Sequence, residues 1–190
     1  STHIEDGLWN VTYVQFCDWL ALDGPQTPEN RRKNFGGTEL TFICTTYYYY
    51  SLILTSKVAK ILGKQEDYEK YLKIAEETLK KIRYEYFTNS GRCAIQTQTA
   101  LSLAIIHDLQ PEGTSQISHA SLYKLIENNN FHICTGFIGT HIICKALTKV
   151  GDNENAVEIF LQKDCPGWLY PVKMGATTIW ERWDALLPDG

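Results

Sequence analysis

The sequence predicts an all-α chain built of helical hairpins in two layers, and three observations carry that prediction. Apolar residues recur at three-to-four spacing over most of the chain from Glu39 onward. Segments apolar on most faces alternate with segments apolar on one face only, as expected of buried inner and half-exposed outer helices. Glycine or Asn-Ser-Gly punctuation follows several of the periodic stretches.

The first periodic stretch, 38–62, has Thr38 or Thr41 as a cap and stops at Gly63. Its partner, 66–87, is charged and amphipathic, with Tyr68, Leu72, Ala75, Leu79 and Ile82 on one stripe and Asn89-Ser90-Gly91 at its end. The pattern repeats. An apolar segment at 95–109 closes on Gln110-Pro111-Glu112-Gly113, and a polar-faced one at 115–129 turns Ile117, Leu122, Leu125 and Ile126 inward. The third pair is the apolar 136–150, ended by Gly151, and the amphipathic 153–163; a further helix is expected over 177–186. The repeat is irregular, unlike the fixed period of common helical arrays. The layering suits an α-solenoid or an α/α toroid.

With 190 residues the chain supplies one domain, taken as 1–190, able to bury roughly 70% of its unfolded surface. A net charge of −4 gives no electrostatic case for nucleic acid or an anionic membrane, and no apolar run approaches the ~20 residues that cross a bilayer. The six cysteines form no CxxC pair, which reads as free thiols and favours a reducing, cytoplasmic setting. His132, Cys134, His141 and Cys144 form a cluster worth testing as a metal site, although structural zinc prefers tighter paired spacings.

Gly-, Thr-, Gln-, Trp- and His-rich stretches at 17–28, 91–100, 131–140 and 170–183 lead into the inner helices. In a toroid they converge on one mouth, where a rigid scaffold presents its functional loops. The sequence GATTIWERW at 175–183 is ambiguous on local rules. Thr178-x-x-Glu181 fits a capping box, in which the glutamate reaches back to its own backbone, and a helix start also favours a carboxylate anion. Trp180, Glu181, Trp183 and Asp184 fall within about half of a helical turn, and Arg182 falls opposite Asp184.

The stretches DWLALDG (18–24) with TP (27–28), TTYYYYS (45–51), QTQTALSLAI (96–105), TGFIGT (135–140) and PGWLYPVKMGATTIWERWDALLPDG (166–190) together resemble the catalytic domain of the family 78 glycoside hydrolases, the bacterial α-L-rhamnosidases. The resemblance implies part of an (α/α)6 toroid whose bowl takes a terminal L-rhamnose of a glycoside or oligosaccharide. It implies inverting hydrolysis with no cofactor and no metal, and makes Glu181 the general base. Inversion needs a general acid as well. That acid and the residues gripping the sugar belong, in the family, to a motif upstream of the DWL segment. Only seventeen residues precede Asp18 here, and Glu5 and Asp6 do not resemble that motif. A histidine-bearing segment after GATTIWERW is also missing. The expectation is an internal piece of a toroid, three hairpins and the start of a fourth, inactive alone and with apolar flanks prone to self-association.

Each candidate has a plain structural alternative. Trp180, Trp183 and Trp19 suit the apolar face of a deoxy sugar or core packing. Asp18 suits a sugar hydroxyl or a turn, and Trp168 with Tyr170 suits sugar contact or support beneath the turn. His132 suits substrate or a structural hydrogen bond. The quartet Tyr47–Tyr50 points around a whole turn and reads as interlayer packing, and Gln96, Thr97 and Gln98 are neutral donors at the mouth. Two other functions compete: another (α/α)6-toroid carbohydrate enzyme, and an α-solenoid that binds a protein partner.

Overall fold

The computed structural model describes residues 3–10, 15–24, 36–186 and 189. The chain begins with a small hairpin, β1 (Ile4–Glu5) and β2 (Leu8–Trp9), paired antiparallel with Ile4 opposite Trp9. It lies against the first helical pair, where the Trp9 amide donates to Thr45 Oγ1 at 2.9 Å. The sequence reading placed no strand there; two-residue strands are too short to show a period-two signal.

Among the described residues eight helices follow. The long α1 (Leu40–Ile61) and α2 (Gln65–Tyr86) fold back on one another around Gly63, which adopts φ +68. α3 (Gln98–His107) pairs with α4 (Ser115–Asn128). α5 (Phe137–Thr140) and α6 (Ile143–Lys149) make the third inner element, and α6 pairs with α7 (Asn153–Phe160). α8 (Leu169–Lys173) is a single short turn.

The layering follows from side-chain pattern. Inner helices α1, α3 and α6 touch in succession, with α3 between the other two, and each carries its outer partner. Residues Gln98 to Ile105 of α3 are buried without interruption, because this helix has apolar or small polar residues on every face. By contrast α2 buries only Ala75, Thr78, Ile82 and Tyr86. The core joins Phe42 and Ile43 of α1, Leu101 and Ile105 of α3, Leu122 and Ile126 of α4, Ile143 and Leu147 of α6 and Ile159 of α7. This is the predicted all-α arrangement, part of an (α/α)6 toroid. No described helix is long and apolar enough to cross a membrane. Along α1, Tyr50, Leu54, Val58 and Ile61 form a row that stays exposed.

Three expected helices change. The segment 95–109 loses its first turn, because Thr97 caps α3 by accepting the Ala100 amide at 3.1 Å. The segment 136–150 divides in two at Thr140–Ile143, where the Ile142 amide reaches the Gly139 carbonyl in a tight three-residue step. The helix expected over 177–186 is absent: the described residues there form turns and bends. Tertiary contacts of Trp183, described next, override the local capping-box pattern.

Candidate active site

The site is built on the TGFIGT segment, 135–140. Gly136 lets the chain at 17–22 cross it in direct contact, and Gly139 lets Thr99 of α3 approach. A Cβ on Gly136 would lie 2.1 Å from the Trp19 carbonyl oxygen, and one on Gly139 would lie 2.1 Å from Thr99 Oγ1. The crossing strap is pinned by backbone bonds: the Phe137 amide donates to the Trp19 carbonyl at 3.0 Å, and the Leu22 amide to the Cys134 carbonyl at 2.7 Å.

Asp18 is the strap's anchor. Its side chain is 2% exposed. One carboxylate oxygen accepts the amides of Ile138 (2.9 Å) and Gly139 (3.0 Å), the first free donors of α5; the other accepts the Thr99 hydroxyl at 2.5 Å. A carboxylate with both oxygens so engaged holds loops together. Trp19 is half-buried against Phe16, ring centroids 5.7 Å apart, while the next residue, Leu20, reaches the cavity beyond.

That cavity, about 470 Å³, opens between the TGFIGT segment and the GATTIWERW loop. Its lining comprises Leu20, Gly136, Phe137, Thr140, His141, Ile179, Trp180, Glu181 and Trp183. Glu181 is exposed, and among the described residues its carboxylate has no hydrogen-bond or ion-pair partner. The capping box is therefore not formed, and the helix-start stabilisation expected for this carboxylate does not apply. Trp180 is half-buried, edge-on to Tyr170 at 6.1 Å, and the Tyr170 hydroxyl donates to the Leu186 carbonyl at 2.6 Å.

Trp183 fixes the loop. It is 9% exposed, its Nε1 donates to the Thr135 carbonyl at 3.2 Å, and its ring meets Trp168 edge-on at 5.7 Å. Trp168 packs in turn on Phe160 and lies behind the loop, beside a separate groove of about 310 Å³. Arg182 and Asp184, expected on opposite sides of a helix, instead pair with each other at 3.1 Å.

Of the predicted residues, Trp180, Glu181 and Trp183 meet at the cavity. Asp18 and Trp19 form its support. His132 lies apart, its Nδ1 facing the Asn130 carbonyl at 2.8 Å. Gln98, placed at the mouth by sequence, is a buried staple: Nε2 donates to the His132 carbonyl and Oε1 accepts the Cys134 amide. Sequence reasoning missed Leu20, Phe137, Thr140, His141 and Ile179 as cavity residues, although all five lie in or beside segments it had singled out. The suggested metal cluster is not assembled. Cys134 Sγ takes a bond from Asn129, Cys144 Sγ faces the Ala156 carbonyl, and no group of three or more metal-ligating residues occurs among the described residues.

The whole chain, residues 1–190, matches the family described as the bacterial alpha-L-rhamnosidase 6 hairpin glycosidase domain. Curated alpha-L-rhamnosidases resemble it: that of Alteromonas sp. (strain LOR) is 34% identical over 90% of this chain and 19% of its own length, and that of Streptomyces avermitilis 34% identical over 92% and 16%. The chain thus spans less than a fifth of these relatives. Among solved structures, native α-L-rhamnosidase from Aspergillus terreus superposes with a TM-score of 0.89 at 31% identity, covering 98% of this chain and 21% of that one. The Streptomyces avermitilis enzyme complexed with L-rhamnose gives 0.85 at 30% identity, covering 100% and 17%.

Proposed function

The chain belongs to the bacterial alpha-L-rhamnosidase six-hairpin glycosidase family, and from that premise we propose that it is one structural unit of a catalytic domain that removes terminal α-L-rhamnose from glycosides by inverting hydrolysis. Glu181 is the general base. The observation carrying this reading is the unpartnered Glu181 carboxylate in the wall of a cavity whose other walls are mainly apolar. A base must be ionised, reachable by water and free of competing bonds, and this carboxylate meets the last two conditions by its exposure and lack of partners. The volume is that of a small-ligand site, and Trp180 offers a flat face to the methyl-bearing side of a deoxy sugar.

Inversion places a second carboxyl about 6.5–9.5 Å from the base, with room for a water between. Among the described residues no other carboxylate lines the cavity, and the resemblance to the family puts the general acid in another part of the parent protein. The isolated 190-residue chain is accordingly inactive on rhamnosides. The exposed row Tyr50, Leu54, Val58 and Ile61 is the surface through which it self-associates, and a monodisperse monomer in light scattering overturns that point.

The test is Glu181→Gln in the full-length protein, assayed on an aryl α-L-rhamnoside. The rate falls by roughly 10²–10⁴ while the melting temperature is unchanged. A rate near that of the native protein rules out the base role. The other toroid glycosidases are distinguished by giving turnover on a different sugar, and a protein-binding solenoid by giving no turnover at all.

A further inference from the structure

Two of the six cysteines stand apart from the rest. Cys17, at the start of the strap, and Cys44, on α1, approach with their sulfurs 3.5 Å apart. Both are free and only partly buried. Each has one further polar neighbour, the Leu40 carbonyl for Cys17 and Gln15 Oε1 for Cys44, both at 3.9 Å. Cys93 is buried in the core, and Cys134, Cys144 and Cys165 face an amide or backbone carbonyls instead.

We propose that Cys17 and Cys44 are a redox-responsive dithiol whose oxidation by a low-molecular-weight disulfide fastens the strap beneath the cavity to α1. A disulfide requires sulfurs at ~2.05 Å, so the pair must close by roughly 1.5 Å. One side of the pair belongs to a loop and not to a helix, so the adjustment falls on the strap. Cys17 has φ +43, an unusual backbone state for a residue with a side chain, and this orients its thiol toward α1.

The chemistry is ordinary thiol–disulfide exchange. The two sulfurs share a hydrogen bond that either thiol can donate; it lowers the pKa of Cys44 and, together with burial, raises that of Cys17. Cys44 is thus the attacking thiolate. It displaces one thiolate from the small disulfide and forms a mixed disulfide. Cys17 then loses its proton to solvent, attacks the Cys44 sulfur and expels the second thiolate. The two cysteines give up two electrons, and the small disulfide takes them up as two thiols.

The position gives the modification a consequence. Asp18, Trp19 and Leu20 follow Cys17 directly; the first two hold the TGFIGT segment, and Leu20 lines the cavity. The proposal does not depend on which sugar the cavity takes.

The full-length protein is incubated with glutathione disulfide under native conditions, alkylated and digested. The expected product is a peptide linking Cys17 to Cys44, released by dithiothreitol, with amide exchange at Ala21 and Leu22 slowed about tenfold or more. In Cys17→Ser, Cys44 is recovered as the mixed disulfide with glutathione. Recovery of both cysteines from the native protein as free thiols, or as separate mixed disulfides, overturns the pairing. A linked peptide with unchanged exchange at Ala21 and Leu22 overturns the fastening.

Discussion

Trp183 Nε1 donates to the Thr135 carbonyl at 3.2 Å, and this bond joins the loop that presents Glu181 to the segment that forms the opposite wall. The candidate base therefore depends for its position on the indole two residues further along the chain. Replacing Trp183 by Phe removes one buried bond and keeps the ring contact with Trp168. It lowers stability by about 1 kcal/mol and leaves the Thr135 carbonyl without that donor, whereas Trp183→Ala costs about 3–5 kcal/mol. Urea unfolding followed by circular dichroism separates the two variants. Equal losses would mean the ring packs less closely than its 9% exposure indicates.

Asp18 is expected to behave as a structural residue. Asp18→Ala strands the amides of Ile138 and Gly139 and the Thr99 hydroxyl, all turned toward a buried site. The loss is about 3 kcal/mol or more, read as a drop in denaturation midpoint. A variant of native stability with weakened rhamnose affinity would instead assign Asp18 to the sugar.

Gly136 is closed to any larger residue. Its φ of −96 is open to all residues, so the restriction is contact and not backbone strain. The added methyl of Gly136→Ala meets Trp19 O, the Ala21 amide nitrogen and Asp18 O, all backbone atoms of the strap. The strap must shift, at about 1–3 kcal/mol. Gly151→Ala is a useful contrast, since nothing lies within 4 Å of its added carbon and the cost there comes from φ +86 alone.

His107 confers a pH dependence. Burial pushes its pKa down to about 4, reinforced by nearby Lys149, and its ring contacts Tyr50 at 4.7 Å. The unfolded chain protonates this histidine near pH 6.5. Between about pH 6.5 and 4 the unfolded state thus holds more protons, and the stability attached to His107 is lost as the pH falls through that window. Relative to His107→Gln, the native protein loses melting temperature over that range. A difference between the two that stays constant with pH overturns the assignment.

The hairpins were legible because their evidence is local. The eight consecutive buried residues of α3 and the single buried stripe of α2 appear directly as apolar patterns along the chain. The site was legible only in part. GATTIWERW and TGFIGT stood out, yet Asp18 reads equally well as a sugar ligand until Ile138 and Gly139, 120 and 121 residues away, are seen to use its carboxylate. Thr178-x-x-Glu181 misled for the opposite reason. Its pattern is a sound helix start, but burying Trp183 against Trp168 and Thr135 requires a turn where the helix would run. The TP pair at 27–28, which contributed to the family resemblance, lies outside the described residues.

The reach of the Asp18 bonds also sets an order of events during folding. Each helical pair closes over a short turn and forms from contacts near in sequence, which is fast. The Asp18 carboxylate, by contrast, closes loops of 81 to 121 residues, and its partners exist as a site only after α3 and α5 have been placed. On refolding, the helical signal returns first and the fluorescence change of Trp19 and Trp183 follows. On the ribosome the strap emerges before TGFIGT and waits for it, so the wall of the cavity is the last part of this unit to assemble.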